Sequence, residues 1–274
     1  MSDWFDRRWL VLTGAGVSTD SGIPDYRGPD SVPRQPMTYQ DFIASPANRQ
    51  RYWARAHLGW SRMRSAEPNF THRFLAEHQD RLVGLITQNV DGLHERAGSR
   101  EVVDLHGRLD RVVCLDCHDM TTRDELQARL DALNPGWTDQ EVTIAPDGDV
   151  ELEDTSDFVV AECTQCGGRL KPDVVFFGES VPKPKVHHCF DLVDRAGSEG
   201  APLVVLGSSL QVMSGLRFVR RAAKNGTEVV IVNRGPTRGD ALADVRIDDG
   251  VAETLRRLSS ADAAAPSRAA RPAP

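Results

Sequence analysis

At least five short apolar runs punctuate this chain, and each stops abruptly on glycine, hydroxyl, amide or imidazole residues. Residues 9–12 end at Thr13-Gly14, 82–86 at Thr87-Gln88-Asn89, 101–105 at His106-Gly107, 202–206 at Gly207-Ser208, and 228–232 at Asn233. Apolar runs this short, without polar alternation, are the pattern of strands buried on both faces, as in a parallel sheet. Helical stretches separate them: residues 38–80 read as mostly helical, with a start at Ser45-Pro46 and a second helix from Asn69 capped by Thr71. Further helices are expected at 123–133, 183–196, 215–223 and 251–258, and a short edge strand at 245–247. Strands alternating with helices predict an α/β fold built on a doubly wound parallel sheet. Such sheets bind ligands beyond the carboxyl ends of their strands, where every polar cluster of this chain falls.

At 274 residues the chain can bury one large core with a small satellite. A net charge of −7 gives no general attraction to nucleic acid or to an anionic membrane. No apolar run approaches the roughly 20 residues that cross a bilayer. Asp3 and Asp6 lie in an N-terminus with no apolar leader core, so neither a signal nor a transit peptide is expected. Four of the five cysteines form two CxxC pairs, which suits a metal site in a reducing cytoplasm better than a disulfide framework. Lysine occurs only at Lys171, Lys183, Lys185 and Lys224 while arginine is abundant, a codon bias of GC-rich genomes, and a bacterial cytoplasm is the expected location. Cys189, beside Phe190, reads as a small buried apolar residue. The Ala/Pro/Ser/Arg composition of residues 259–274 reads as a disordered tail.

Three segments carry chemistry. The first, Thr13-Gly14-Ala15-Gly16, follows a strand, and its glycines allow a tight turn and close approach of backbone to a phosphate; a following helix would offer its N–H groups. Only half of GxGxxG is present, since Thr19 holds the third position, and a plain strand-to-helix turn accounts for it equally well. The second runs from Gln88, Asn89 and Asp91 to His106. On position alone His106 is as well read as a loop-capped structural histidine as a general base, a role for which an unperturbed pKa of about 6.5 suits it. The third is the pair of knuckles, Cys114/Cys117 and Cys163/Cys166, 45 residues apart (118–162). Four thiolates make a closed tetrahedral zinc site, structural rather than catalytic, and zinc is favoured over a thioredoxin-type redox pair. The extra length is an insertion: a helix at 123–133, then an acidic loop at 134–157. Acidic surroundings disfavour a nucleic-acid-binding zinc ribbon. This much describes a nucleotide-binding α/β enzyme with a small zinc-stabilised insertion.

GAGVSTDSGIPDYRG (14–28), TQNVDGLHERAG (87–98), LHG (105–107), both CxxC pairs, KPDVVFFGE (171–179), GSSLQV (207–212) and VNRGPT (232–237) together resemble the sirtuins, the NAD-dependent protein-lysine deacylases. The likeness spans Trp9 to about Leu258, and PDYRG, the helix at 49–55, the long inter-knuckle spacing and GSSLQVMSG resemble the class II branch. It implies one catalytic domain over 1–258: a Rossmann part (about 9–37, 82–106 and 172–258), a small helical part (about 38–80) and a zinc-ribbon module (about 107–171). NAD and an acylated lysine of a protein or peptide would meet in the cleft. By resemblance, Gly14, Ala15 and Gly16 hold the pyrophosphate, Ile23 and Asp25 face the nicotinamide, and Arg27 lies near the phosphates. Gln88, Asn89 and Asp91 position the nicotinamide ribose. Gly207, Ser208 and Asn233 contact phosphate and adenosine ribose, and the backbone at Val251 the adenine. His106 is the general base, with Asn89 and Asp91 beside it in the catalytic group. Substrate peptide adds as a strand between 174–179 (Val174, Val175, Phe176, Phe177, Gly178, Glu179) and a segment with Leu210 and Val212. The acyl oxygen would attack the anomeric carbon as nicotinamide leaves, and His106 would then activate a ribose hydroxyl. Free lysine and O-acyl-ADP-ribose are the implied products. Mono-ADP-ribosyl transfer in the same cleft and NAD sensing without catalysis are the alternatives. Ser214 stands where the family commonly has proline. Tyr52 and Arg55 have a Y-x-x-R spacing that reads acidic acyl groups in another branch, or serve as packing and surface charge. Neither nucleic acid nor membrane is expected as a partner, and the expected state is a monomer.

Overall fold

A computed structural model describes residues 4–25, 36–137 and 154–264 of the chain. In order, the elements are β1 (Trp9–Thr13), α1 (Tyr39–Ala44), α2 (Pro46–Ser65), α3 (Phe70–Glu77), β2 (Leu82–Thr87), α4 (Leu93–Arg96), β3 (Val102–Asp104), β4 (Gly107–Cys114), β5 (Met120–Thr122), α5 (Arg123–Leu133), β6 (Leu170–Val174), α6 (Lys183–Ser198), β7 (Leu203–Leu206), α7 (Met213–Lys224), β8 (Val229–Val232), β9 (Val245–Ile247) and α8 (Val251–Ala264). Six strands form one sheet in the order β3-β2-β1-β7-β8-β9, every pair parallel. This is the doubly wound sheet that the apolar runs predict. Strand order reverses between β1 and β7, the switch point of the sheet, beyond whose carboxyl ends a ligand crevice is expected.

Both faces of the sheet are covered, and the two-residue period of the strands sorts their side chains. Leu10, Leu12, Ile86, Val205 and Ile231 pack against α6 and α7 through Leu192, Val193, Phe218 and Val219. Trp9, Val11, Leu85, Val204 and Val230 pack on the other face against Phe74 and Leu75 of α3, Leu255 of α8, and Trp4 and Phe5. Each such side chain contributes about 1.5–3 kcal/mol when fully buried. Cys189 lies in the first of these cores, where burial pushes its thiol up to about 12, as its apolar reading requires.

A second, antiparallel sheet of three strands, β5-β4-β6, carries the insertion. Its core joins Val112, Leu126, Leu130, Phe158 and Leu170 to Trp53 of α2, whose indole N–H donates to the Leu170 carbonyl at 3.0 Å. The α5 helix starts on a capping box, Thr122 with Glu125. Arg123 is buried between the rings of Trp53 and Trp60, its guanidinium 5.5 and 5.1 Å from them. Much of the acidic loop, 138–153, lies outside the described residues.

The sequence reading needs five corrections. No α-helix follows β1: residues Ala15–Val17 and Thr19–Ser21 form two 3-10 turns, closed by bonds such as Val17 N–H to the Gly14 carbonyl (3.1 Å), in a loop pressed against 207–208, where the Gly16 N–H meets the Gly207 carbonyl at 2.9 Å. Asn69, not Thr71, caps α3, accepting from the Thr71 N–H while its own N–H donates to His72 Nδ1. That helix packs on the large sheet, outside the small helical part assigned to 38–80. Residues 172–174, assigned to the Rossmann part, lie in the small sheet instead: β6 ends at Val174, and a single bridge, Phe177 with Thr38, follows it. Finally, α8 continues through Ala264 into the stretch read as tail, with the Ser259 and Ser260 hydroxyls bonding back to the carbonyls of Leu255 and Arg256.

Candidate active site and metal centre

One cavity of about 1320 Å³ opens at the carboxyl ends of the parallel strands and reaches the small sheet. Single-ligand pockets run to about 300–1,000 Å³, so this cavity has room for two substrates at once. Its floor is made where two strand-end loops press together. A Cβ on Gly14 would lie 2.7 Å from Ser208 Cβ, and one on Gly16 would lie 2.9 Å from the Gly207 carbonyl oxygen. The two glycines are therefore required first by the 207–208 loop beside them.

Thr13 and Thr87, at the ends of neighbouring strands, bond hydroxyl to hydroxyl at 2.8 Å, and buried His94 lies 3.0 Å from Thr13 Oγ1. Above them, the Gln88 amide donates to Ser208 Oγ (2.8 Å) and the Thr13 carbonyl (3.1 Å). Asn89 Nδ2 donates to the Gly14 carbonyl (3.1 Å) and to Ser18 Oγ (3.0 Å). Ser18 in turn donates to Asp91 Oδ2 at 2.7 Å, and the Leu93 N–H donates to Asp91 Oδ1 at 2.9 Å. Burial raises the Asp91 pKa, and these two donors work against that rise. Ser18 is thus the joint of the cluster, one that the sequence reading did not single out. Its position inside GAGVS was the available signal.

His106 follows β3 and precedes Gly107, whose left-handed φ of +81° lets the chain turn past the Asp173 carbonyl. Its Nδ1 lies 2.8 Å from the Gln88 carbonyl and its Nε2 lies 2.7 Å from Ser214 Oγ. Burial lowers its pKa; the Gln88 carbonyl raises it, and the cations of Lys185 and Arg217 lower it again. The expectation of an unperturbed imidazole is therefore corrected: the ring is held neutral more firmly than a solvated histidine.

Ile23, Asp25, Asn233 and Val251 also border the cavity, with Asn233 Nδ2 closing its own turn onto the carbonyls of Arg234 and Gly235. Arg27 lies outside the described residues. All of 174–179 and 207–214 borders the cavity. Val175 N–H donates to the His106 carbonyl (2.8 Å), and the Phe177 carbonyl accepts from Tyr39 N–H (2.9 Å), so the first segment is tied down along one side. Glu179 pairs with the buried Lys171 at 3.0 Å and accepts from the Phe176 N–H, which pins the segment at both ends. Leu210 takes a left-handed φ of +55° and buries its side chain in the core. Of the Tyr52/Arg55 pair, only Tyr52 borders the cavity; it packs edge-on to Phe42 at 5.3 Å.

The four cysteines of the two knuckles converge, their sulfurs all within 4.8 Å of one another. Cys114 and Cys166 are 3.6 Å apart and Cys117 and Cys163 3.7 Å. A tetrahedron of thiolates at the usual Zn–S length has edges of about 3.8 Å, so the donor set fits zinc. Backbone N–H groups of Asp116 and Gln165 point at Cys114 and Cys163 sulfurs at 3.4 Å, the expected support for thiolate charge. Asp116 clamps one knuckle to Arg169 of the other. None of the four borders the cavity, and a bound zinc would serve to hold the knuckles together.

Comparison with known proteins agrees with this geometry. A sequence model described as the Sir2 family matches residues 14–214. "NAD-dependent protein deacetylase 1" of Mycobacterium avium is 53% identical over 92% of this chain and 91% of its own. The human "NAD-dependent protein lipoamidase sirtuin-4, mitochondrial" is 47% identical, covering 91% of this chain and 81% of its own. A solved structure described as "Sir2-p53 peptide-NAD+" superposes with a TM-score of 0.74 at 31% identity, over 94% of each chain. The chain belongs to the Sir2 family.

Proposed function

We propose that this protein is an NAD-dependent protein-lysine deacylase, taking NAD and an acylated lysine of a protein or peptide as its two substrates. The observation that carries the reading is the strand-end cluster. Gln88, Asn89, Asp91 and His106 border one cavity large enough for both substrates, tied together by Ser18, Ser208 and the Gln88 backbone.

In this reading Gly14, Ala15, Gly16, Gly207 and Ser208 hold the pyrophosphate, Asn233 and the backbone at Val251 hold the adenosine, and Ile23 and Asp25 face the nicotinamide. Asn89 and Asp91, locked by Ser18, orient the ribose so that its anomeric carbon meets the acyl oxygen. An amide oxygen is a weak nucleophile, so positioning in a closed, dry cleft carries much of the rate. His106 acts after nicotinamide has left: neutral, with Nδ1–H fixed on the Gln88 carbonyl, it takes a ribose hydroxyl proton at Nε2. The peptide lies as a strand between 174–179 and 209–213, held through its backbone.

The test offers the protein NAD and peptides that differ only in the lysine acyl group: acetyl, lipoyl, succinyl, glutaryl and long-chain. Nicotinamide release should require an acylated peptide and yield free lysine, and His106→Ala should lower deacylation by about 10²–10⁴-fold, the usual contribution of a general base. Label from NAD appearing on protein without deacylation would replace the reading by ADP-ribosyl transfer. Binding of NAD with neither reaction would leave a sensor.

A further inference from the structure

Ser214 is the second residue of α7, is 8% exposed, and borders the cavity next to His106. The two hydrogen bonds of the imidazole fix its state. The Gln88 carbonyl at 2.8 Å can only accept, so Nδ1 carries the hydrogen. A neutral ring then offers Nε2 as an acceptor, and the Ser214 hydroxyl at 2.7 Å must donate to it. We propose that Ser214 is a positioning residue for His106: its hydroxyl holds Nε2 at the cavity wall while the site is empty, turns off the Nε2 lone pair when the ribose hydroxyl takes its place, and accepts from Nε2–H once the ring has taken the ribose proton and the ribose oxygen has gone on to the acyl carbon. The inference rests on reading His106 as the general base.

A hydroxyl suits this place because one oxygen both donates and accepts, so the switch needs only rotation of the serine side chain about Cα–Cβ and Cβ–Oγ. No bond to carbon forms or breaks, and the serine keeps its own proton throughout. The two states are not equally strong. A hydrogen bond to a charged partner is roughly twice as strong as a neutral one, so Ser214 favours the protonated ring. Other groups facing the ring act against this: burial first, then the cations of Lys185 on α6 and Arg217 on α7, while the Gln88 carbonyl works with the serine. Ser214 therefore restores basicity that the closed site removes. Gly215 beside it lets α7 come this close, since a Cβ there would meet the Gln88 side-chain amide at 2.5 Å.

Nicotinamide exchange, the incorporation of labelled nicotinamide into NAD in the presence of acyl-peptide, reports the steps before a base is needed. Deacylation reports the whole reaction. Ser214→Ala should lower the ratio of deacylation to exchange by about tenfold and move the acid limb of the deacylation pH profile down by about one unit, the shift that corresponds to a tenfold change in proton affinity. Ser214→Thr, which keeps the hydroxyl, should restore both. Equal losses of exchange and deacylation would mean a merely structural serine and overturn the proposal, as would an unchanged ratio and acid limb or a threonine variant no better than alanine. His106→Ala is assayed alongside. Deacylation at the wild-type rate in that variant would sink the base assignment itself, an outcome separate from any result at Ser214.

Discussion

Residue by residue, the site is a set of half-buried polar groups that would be costly to desolvate singly and are desolvated together. Ser18 shows this best, because its one oxygen donates to Asp91 and accepts from Asn89. Ser18→Ala leaves a half-buried carboxylate without its hydroxyl donor, and a hydrogen bond to a charged group contributes about 1.5–3 kcal/mol. The expected result is a fall in kcat/KM for NAD of about 10–100-fold with a loss in melting temperature of only a few degrees. Steady-state kinetics with a thermal melt checks this, and an unchanged kcat/KM would remove Ser18 from the cluster. Gln88, Asn89, Asp91 and His106 were legible in the sequence because polar residues directly after an apolar run must sit at a strand's end. Ser18 and the bond from Ser214 to His106 were not. A hydroxyl's partners depend on which strand lies next to which, and the order β2-β1-β7 is a fact of the fold. The lowered pKa of His106 was hidden for the same reason, since burial and the cations of Lys185 and Arg217 come from other parts of the chain.

At the scale of elements, the small sheet connects the knuckles to the cavity. Cys114 ends β4, β6 pairs with β4, and the cavity-lining 174–179 segment leaves from the end of β6. Structural zinc supplies about 10–16 kcal/mol to small domains that bind it, more than the residual stability of a three-stranded sheet with one helix. Zinc removal by a chelator should therefore release one metal per chain, lower the far-UV helical signal as α5 loses its support, and abolish deacylation. Cys117→Ser should not retain metal. Metal-free protein with full activity and an unchanged spectrum would contradict the account. The spacing of the cysteines made the zinc site legible in spite of the insertion, because each knuckle is a local structure. The sheet to which β6 belongs was not legible. An apolar run does not say whether its partner is parallel or antiparallel, and the pairing of β6 with β4 spans the whole insertion. The 3-10 turns after β1 escaped for a related reason, since the 207–208 loop packed against them comes from a distant part of the chain.

Over the whole molecule, the reversal of strand order between β1 and β7 gathers loops from distant parts of the sequence into one cavity, and stability is traded for it there. Next to the cluster, His72 and His94 meet edge-on with ring centroids 4.8 Å apart, both buried. Burial holds His72 at about 4, against about 6.5 in an unfolded chain. Between those values the unfolded chain binds a proton that the folded one refuses, so this histidine destabilises the fold as pH drops from about 6.5 toward 4. By pH 5 its share is about 2 kcal/mol. In His72→Gln the loss of unfolding free energy between pH 7.5 and pH 5, measured by urea titration, should shrink by about that amount; an equal loss in both proteins would contradict the assignment. No helix among the described residues is long and apolar enough to cross a membrane, and the cavity is the feature the architecture serves. Its proposed use is tested most directly by stoichiometry. With NAD and an acylated peptide in a single reaction, the account predicts nicotinamide, deacylated peptide and O-acyl-ADP-ribose in equal amounts. NAD consumed without an equal yield of deacylated peptide would contradict it.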